Sequence, residues 1–369
     1  MDYTKQTVQR FDAFVKSLTA NDRIALMHDT DPDGICSGAL VAASVERIRK
    51  KPIDLVIPKG HEKVTLTDEN LKMLQQNKIN KLITTDLGID GDPATVRQAE
   101  VFCEIVIFDH HKISNDVNSP RTIVAKAQYI TDKIDSSQYP ASKLVYDLFS
   151  RHVDLSDRDW VAAAGLIADA SAKTWQTFLD GLFVKYGEKK LDNIFDTPFG
   201  MVGRIITSSI GIDAAHVPAL FKCVLEAKSY KDVLSSKFKE YEEKYSAELK
   251  RCIDECRQKA EFHPELELIW YEIKSPYKIN SPVSTILSFM PENLSMTIII
   301  AQDMGDGAYA ISSRRQDGKI AMNDLMENAI KGLEKAGGGG HKPAAGARVL
   351  KNDWRVFKKR VLDALKDFT

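Results

Sequence analysis

The sequence predicts an α/β protein of two domains, an N-terminal doubly wound parallel sheet and a smaller C-terminal α/β domain, joined by a helical connector. Three observations carry this. Short apolar runs alternate with amphipathic stretches over the first part of the chain, the pattern of strand–helix–strand units. Several of those runs end in an acid or a histidine, at the position where a parallel strand opens into a ligand crevice. After a long charged stretch the alternation resumes near Glu265 and leads into Gly337-Gly338-Gly339-Gly340-His341. The expected boundaries are 1–190, 191–262 for the connector, and 263–369.

Composition bounds the function. The 369 residues are 43% hydrophobic and 28% charged, an ordinary balance for a folded chain with two cores. Lys+Arg 51 against Asp+Glu 52 gives a net charge of −1, which excludes a broad non-specific duplex-binding surface. Any nucleic-acid contact is local. No run approaches the roughly 18 apolar residues of a membrane span, and residues 1–10 are polar, so a cytoplasmic protein without a membrane partner is expected. Five cysteines without a CxxC spacing argue against a disulfide framework or a structural zinc site, and Cys252 and Cys256, at i and i+4, read as packing residues.

Residues 2–20 carry Val8, Phe11, Phe14, Val15 and Leu18 at helical spacing, and Asn21-Asp22 stops the helix before a strand at 23–27. That strand runs into His28-Asp29-Thr30-Asp31-Pro32-Asp33-Gly34, and small residues from Cys36 open the next helix. Carboxylates so close repel one another unless a cation neutralises them, which points to a divalent metal; Asp33 alone would serve as a helix cap. A strand at 54–58, a polar loop and a helix at 68–76 follow. The strand at 81–85 ends in Asp86-Leu87-Gly88, and the strand at 101–108 delivers Asp109-His110-His111. A capping acid with two surface histidines is the alternative there, and it loses ground because other strand ends carry acids too. A fifth apolar run spans 122–127.

Helices are expected at 141–152 and 157–172, the second with small residues that let it approach a neighbour and press Asp169 into the same crevice. Residues 174–225 read as mostly helical, without chemistry of their own. Residues 231–260 read as one long charged helix with Leu234, Phe238, Tyr241, Tyr245, Leu249, Cys252 and Cys256 on one stripe. In the second domain, strands are expected at 266–273, 296–302 and 307–313, and helices at 282–289 and 322–336. The four glycines read as a loop whose freed backbone N–H groups, with His341 and Lys342, form an anion cradle. Arg314-Arg315, with Lys335, Lys342 and Arg348, supplies charge suited to phosphate. Gly338, Gly339, Gly340, His341, Lys342, Arg314 and Arg315 are therefore the expected substrate contacts.

Taken together, His28/Asp31/Asp33, Asp86, Asp109-His110-His111, Asp169 and the glycine run ending at His341 resemble the DHH phosphoesterase family with its DHH-associated C-terminal domain. Within it the chain is most similar to RecJ-like and nanoRNase-like nucleases of the short, archaeal type, and the additional nucleic-acid-binding domain of large bacterial RecJ proteins is not expected. The resemblance implies a site for two Mn²⁺ ions, with Mg²⁺ as a substitute. His28, Asp31 and Asp86 would hold one ion, and Asp33, Asp86, His110 and Asp169 the other. Asp29 matches an additional acid of some members, so its share of the work with His28 stays open. His111 would hydrogen-bond the scissile phosphate as a catalytic group, and Asp109 would orient a histidine.

The function this implies is hydrolysis of single-stranded DNA or RNA from an end, as an exonuclease or oligonucleotidase. A phosphodiesterase or phosphatase for small nucleotides, such as cyclic dinucleotides or 3′,5′-bisphosphonucleosides, is the second reading. A non-catalytic replication-complex scaffold, with a replication or repair protein as partner, is the third. The complete set of acids disfavours it, because their mutual repulsion costs stability without metal. A manganese pyrophosphatase shares the first domain, but the glycine–histidine run points to nucleotides.

Overall fold

The computed structural model describes residues 3–60 and 66–368. Asp2, the expected start of the first helix, and part of the polar loop, 61–65, lie outside the described residues. The chain forms two compact units, Met1–Ile210 with Ala214–Glu242, and Gly211–Asp213 with Glu243–Thr369. No helix among the described residues is long and apolar enough to cross a membrane.

The first unit begins α1 (Tyr3–Ser17), β1 (Ile24–His28), α2 (Pro32–Arg49), β2 (Leu55–Pro58), α3 (Asp68–Gln76), β3 (Lys81–Thr85), α4 (Pro93–Glu100), β4 (Glu104–Asp109) and β5 (Thr122–Lys126). All five strands are parallel, in the order β2-β1-β3-β4-β5. The order reverses beside β1, so a crevice opens at the carboxyl ends of β1 and β3. Both sheet faces are covered, which is why the strands read as continuous apolar runs. Ile24 and Leu26 join one core with Phe11 and Val41, while Ala25 and Met27 join the other with Leu71, Leu74 and Val96. Each of these side chains larger than alanine contributes roughly 1.5–3 kcal/mol when fully buried.

The helices α5 (Ala141–Phe149), α6 (Asp159–Ala168), α7 (Gln176–Tyr186), α8 (Pro198–Ile212), α9 (Val217–Glu226), α10 (Tyr230–Leu234) and α11 (Phe238–Lys259) follow. The single charged helix expected at 231–260 is therefore two. Ser235 and Ser236 turn their hydroxyls onto the carbonyls of Lys231 and Val233, local bonds that compete with helix continuation. Cys252 and Cys256 are buried and free, as packing residues should be.

The second unit contains β6 (Glu261–His263), β7 (Leu268–Ile273), α12 (Asn280–Ser288), β8 (Thr297–Asp303), β9 (Ala308–Arg314), α13 (Met322–Ile330), β10 (Gly337–His341), β11 (Ala344–Leu350) and α14 (Trp354–Lys366). Its mixed sheet has the order β10-β11-β9-β8-β7-β6, with only β7 and β8 parallel. The glycine run is the main correction to the sequence reading. Gly337 to His341 is not a loop but an edge strand, paired antiparallel with β11 from Gly337↔Arg348 to His341↔Ala344. Gly340 has φ 145°, and a Cβ there would lie 2.5 Å from the Ala344 carbonyl oxygen. Glycine at 340 is required by the close approach of β11 and by its left-handed backbone.

In α6, Gly165 faces α5 and α2 where a Cβ would lie 2.7 Å from Ser142 Cβ and 2.8 Å from Asp33 Oδ1. Gly165→Ala should therefore cost about 1–3 kcal/mol through overpacking. Urea denaturation of the metal-free protein checks this; a variant as stable as wild type would show that α6 can shift without strain.

Candidate active site at the carboxyl edge of the parallel sheet

His28 closes β1. Its Nδ1 lies 2.6 Å from the Asp29 carbonyl and its ring stacks on Phe221 at 4.7 Å. Burial pulls the imidazole down to about 4, so it is neutral near pH 7 and able to ligate. Asp31 caps α2 by accepting from Gly34 N–H at 2.8 Å. Asp31 keeps an exposed edge, yet crowding by the surrounding protein and then the charges of Asp29 and Asp33 push its carboxyl upward. Asp33, in the first turn of α2, accepts from the backbone N–H groups of Ala141 at 2.7 Å and Ser142 at 3.1 Å.

Asp86 follows β3 with φ 59°, held by its N–H donating to the Phe108 carbonyl at 2.8 Å. Such backbone in a residue other than glycine costs on the order of 1–3 kcal/mol and concentrates at functional sites. Burial pushes its carboxyl far up, with the charges of Asp31, Asp33 and Asp109 adding to it. Asp169 caps the end of α6; Ala170 takes φ 56° and Ser171 N–H reaches back to the Leu166 carbonyl at 3.0 Å. This closing turn stops the helix and leaves Asp169 at the crevice. Burial and Asp33 raise its carboxyl to about 8, against the opposing pull of His110.

His110 stands between them. Its Nε2 is 3.4 Å from Asp86 Oδ1 and its Nδ1 3.6 Å from Asp169 Oδ2. Burial opposes protonation of the ring, yet Asp169, Asp33 and Asp109 outweigh it and raise the pKa. Asp86 Oδ1, His110 Nδ1 and Asp169 Oδ2 are buried without a hydrogen-bond partner among the described residues. Orphaned groups of this kind cost about 1–3 kcal/mol each, a penalty a bound cation removes. Asp86, His110 and His111 offer ligand atoms that all lie within 4.8 Å of one another. Oxygen and imidazole donors together suit Mn²⁺, and the residues present fit such an ion.

His111 differs from His110. It is partly exposed, and its Nδ1 lies 2.7 Å from Asp109 Oδ1. Asp109 is fully buried; burial alone would raise its carboxyl, but the His111 hydrogen bond and the charges of His111 and Lys126 hold it well below the usual range. Asp29, in contrast, pairs with Lys59 at 2.8 Å, so it already has a protein cation.

Sequence reading missed Lys126 and Asp90. Lys126, the last residue of β5, is fully buried with its ammonium 2.9 Å from both Asp109 Oδ2 and Asp90 Oδ1. A lysine closing an otherwise apolar run was the only signal in the sequence; its register with Asp109 comes from the pairing of β4 with β5.

In the second unit the register Arg314↔Ala344↔His341 runs across β9, β11 and β10 and places Arg314 and His341 on one face. Arg314 bonds Ser281 and Thr285 hydroxyls and the Ser313 and Ala345 carbonyls, without a carboxylate partner among the described residues. His341 and Lys342 are exposed, and Gly338 and Gly340 sit on the edge strand beside Gly339. Arg315 departs from expectation. Its guanidinium is fully buried and donates to Asp317, Glu267 and the Thr297 hydroxyl, so it serves the fold and offers no exposed charge. Arg348 pairs with Asp306.

The chain belongs to the DHH family: residues 23–170 match the N-terminal domain of that family, and residues 278–367 match the DHHA1 domain. It is a DHH/DHHA1 phosphoesterase. No curated protein matches it. Among solved structures it is similar to the DHH domain of a member of a ribosomal-protein family (TM-score 0.73, 12% identity, 98% of this chain and 91% of that one). Exonuclease RecJ bound to manganese is similar over 98% of this chain and 95% of its own, with TM-score 0.70 and 15% identity. The pGpG-specific phosphodiesterase PggH of Vibrio cholerae aligns with 94% of this chain and 100% of its own, with TM-score 0.51 and 14% identity. At these identities the likeness concerns the fold.

The shifted groups set a pH dependence. Asp169 and Asp86 are raised above unfolded carboxylates and His110 above an unfolded imidazole, so the folded state holds more protons than the unfolded one near neutrality. Their contribution is lost as pH rises. His28 acts oppositely, but only below its unfolded value of 6.5. Between pH 6.5 and about 8 the Tm of the metal-free protein should therefore fall, and Mn²⁺ should reverse the trend by replacing the protons. Calorimetric scans with EDTA and with Mn²⁺ decide it; parallel pH curves in the two would contradict this account of the acid cluster.

Proposed function

We propose that the protein is a Mn²⁺-dependent phosphodiesterase that hydrolyses single-stranded DNA or RNA from an end. The observation that carries this reading is the set of buried, unpartnered donor atoms on Asp86, His110 and Asp169 beside an exposed His111. His28, Asp31 and Asp86 would hold one ion, and Asp33, Asp86, His110 and Asp169 the second, with Asp29 set apart by its ion pair to Lys59. Two divalent cations so held would supply Lewis-acid activation of water and neutralisation of charge on a phosphodiester.

The chain's own groups do the rest. His111, its Nδ1 engaged by Asp109, presents Nε2 to a non-bridging phosphate oxygen and stabilises the charge that develops there. Asp109 fixes the ring and is a positioning residue. Arg314, half-buried without a carboxylate partner among the described residues, is pre-organised for a phosphate, with His341, Lys342 and the edge-strand backbone of Gly338, Gly339 and Gly340 beside it in the register of the sheet. Arg315 is no part of this site, which leaves one guanidinium for one phosphate. That small complement favours short substrates, and a linear or cyclic dinucleotide is the second reading.

Steady-state hydrolysis of end-labelled DNA and RNA of graded length, beside a cyclic dinucleotide and in Mn²⁺, tests the assignment. His111→Ala should bind Mn²⁺ normally and lose roughly 10²–10³-fold in kcat. Loss of a metal equivalent in calorimetry would instead make His111 a ligand. Arg314→Ala should raise KM for oligonucleotides roughly 10- to 100-fold, the effect of about 1.5–3 kcal/mol for a hydrogen bond to a charged group. Equal losses in kcat would place Arg314 in the chemistry or the fold.

A further inference from the structure

Three fully buried charges lie behind His111. Lys126 Nζ approaches Asp109 Oδ2 and Asp90 Oδ1 at 2.9 Å each, and the carbonyls of His111 and Lys112 at 3.2 Å each. Asp90 in turn accepts from Ser114 N–H at 2.8 Å, and its carbonyl takes the Asn115 side-chain amide at 2.9 Å. One ammonium thus ties together the end of β4, the turn carrying Asp90 and the segment from His111 to Asn115.

We propose that Lys126 is a positioning residue for His111. The inference rests on the phosphodiesterase reading only in taking His111 as the group that meets substrate. Asp109 Oδ1 holds His111 Nδ1, and receives the backbone N–H groups of His110 at 2.8 Å and His111 at 3.2 Å. That oxygen can hold three donors in place only if the carboxylate itself is fixed. Among the described residues it is the Lys126 ammonium that faces its other oxygen, as an ion pair at 2.9 Å and not as a hydrogen bond, in a place sealed from water. Lys126 also fixes the far side of the histidine, by holding the His111 carbonyl. Ring and backbone are therefore clamped by the same cation, and Nε2 is left as the nitrogen that faces outward.

The charge arithmetic makes the role specific. Two carboxylates buried around one ammonium are tolerable; the same pair without it would repel across an environment of low dielectric constant and force the segment open. A hydrophobic contact could hold the strand end together but could not hold Asp109 as a carboxylate pointing at His111. A merely structural lysine would change stability and leave the ring tautomer alone.

The test replaces Lys126 with Met, which keeps the stem and removes the charge. In wild type, ¹⁵N NMR of the metal-free protein should show His111 as a single Nδ1–H tautomer, and Lys126→Met should mix the two tautomers. Calorimetry should give the wild-type Mn²⁺ stoichiometry. On a dinucleotide substrate kcat should fall roughly 10- to 100-fold, the usual effect of losing a partner behind a site group, while KM holds. An unchanged His111 tautomer, or an unchanged kcat beside an active wild type, overturns the proposal. Should Lys126→Met not fold, the double variant Lys126→Met/Asp90→Asn removes the cation together with one of its anions and is read in the same way. If neither folds, Lys126 serves the fold and the proposal falls. A wild type inactive on every phosphodiester would sink the proposed function, while the tautomer would still decide whether Lys126 positions His111.

Discussion

Mutual repulsion among carboxylates at the edge of the parallel sheet is the constraint around which the first unit is built. Asp31, Asp33, Asp86 and Asp169 are brought together from separate stretches of chain, and each of Asp31, Asp86 and Asp169 feels the charge of others. Parallel strands ending at one edge bring Asp31 and Asp86 near by topology, the capping turn of α6 brings Asp169, and α5 meets Asp33 with its first N–H groups. The left-handed backbone of Asp86 adds a further cost. A fold that gathers such groups retains protons or takes a cation in their place, and the dry, unpartnered atoms of Asp86, His110 and Asp169 face that choice.

The protein separates acids that carry their own cation from acids that do not. Asp29 has Lys59, and Asp109 and Asp90 share Lys126. Each of these acids thus faces a protein cation, and the carboxyl of Asp109 is held well below the usual range by His111 and Lys126. Asp31, Asp86 and Asp169 have no lysine or arginine bridged to them among the described residues. The contrast explains how one tripeptide, Asp109-His110-His111, provides three roles: an ionised support, a buried imidazole between two acids, and a partly exposed imidazole.

In the second unit, the same logic divides two adjacent arginines. Strand alternation sends Arg314 to the face shared with His341 and turns Arg315 toward Glu267 and Asp317. Only a cation without a carboxylate partner is free to meet an anion. The glycines of β10 answer first to strand geometry: Gly340 touches the backbone of β11, while Gly337 and Gly339 stand open along the sheet edge.

The sequence by itself determined the alternation of strands and helices, the acids at the ends of β3 and β4 and the two-domain plan, because these are written in local periodicity and in residues that close those apolar runs. The positions of His28, Asp86 and His110 at or just after the ends of β1, β3 and β4 were legible for that reason, whereas Asp31, Asp33 and Asp169 belong to helix ends. The tertiary structure alone decided which charges are neutralised and by what. Lys126 reads as the end of a strand until β4 and β5 pair in register, and Arg315 reads as a phosphate ligand until Glu267, far away in sequence, is brought against it. A run of four glycines has no intrinsic conformation, so its becoming a strand depended on β11, which supplies the hydrogen bonds that local sequence cannot.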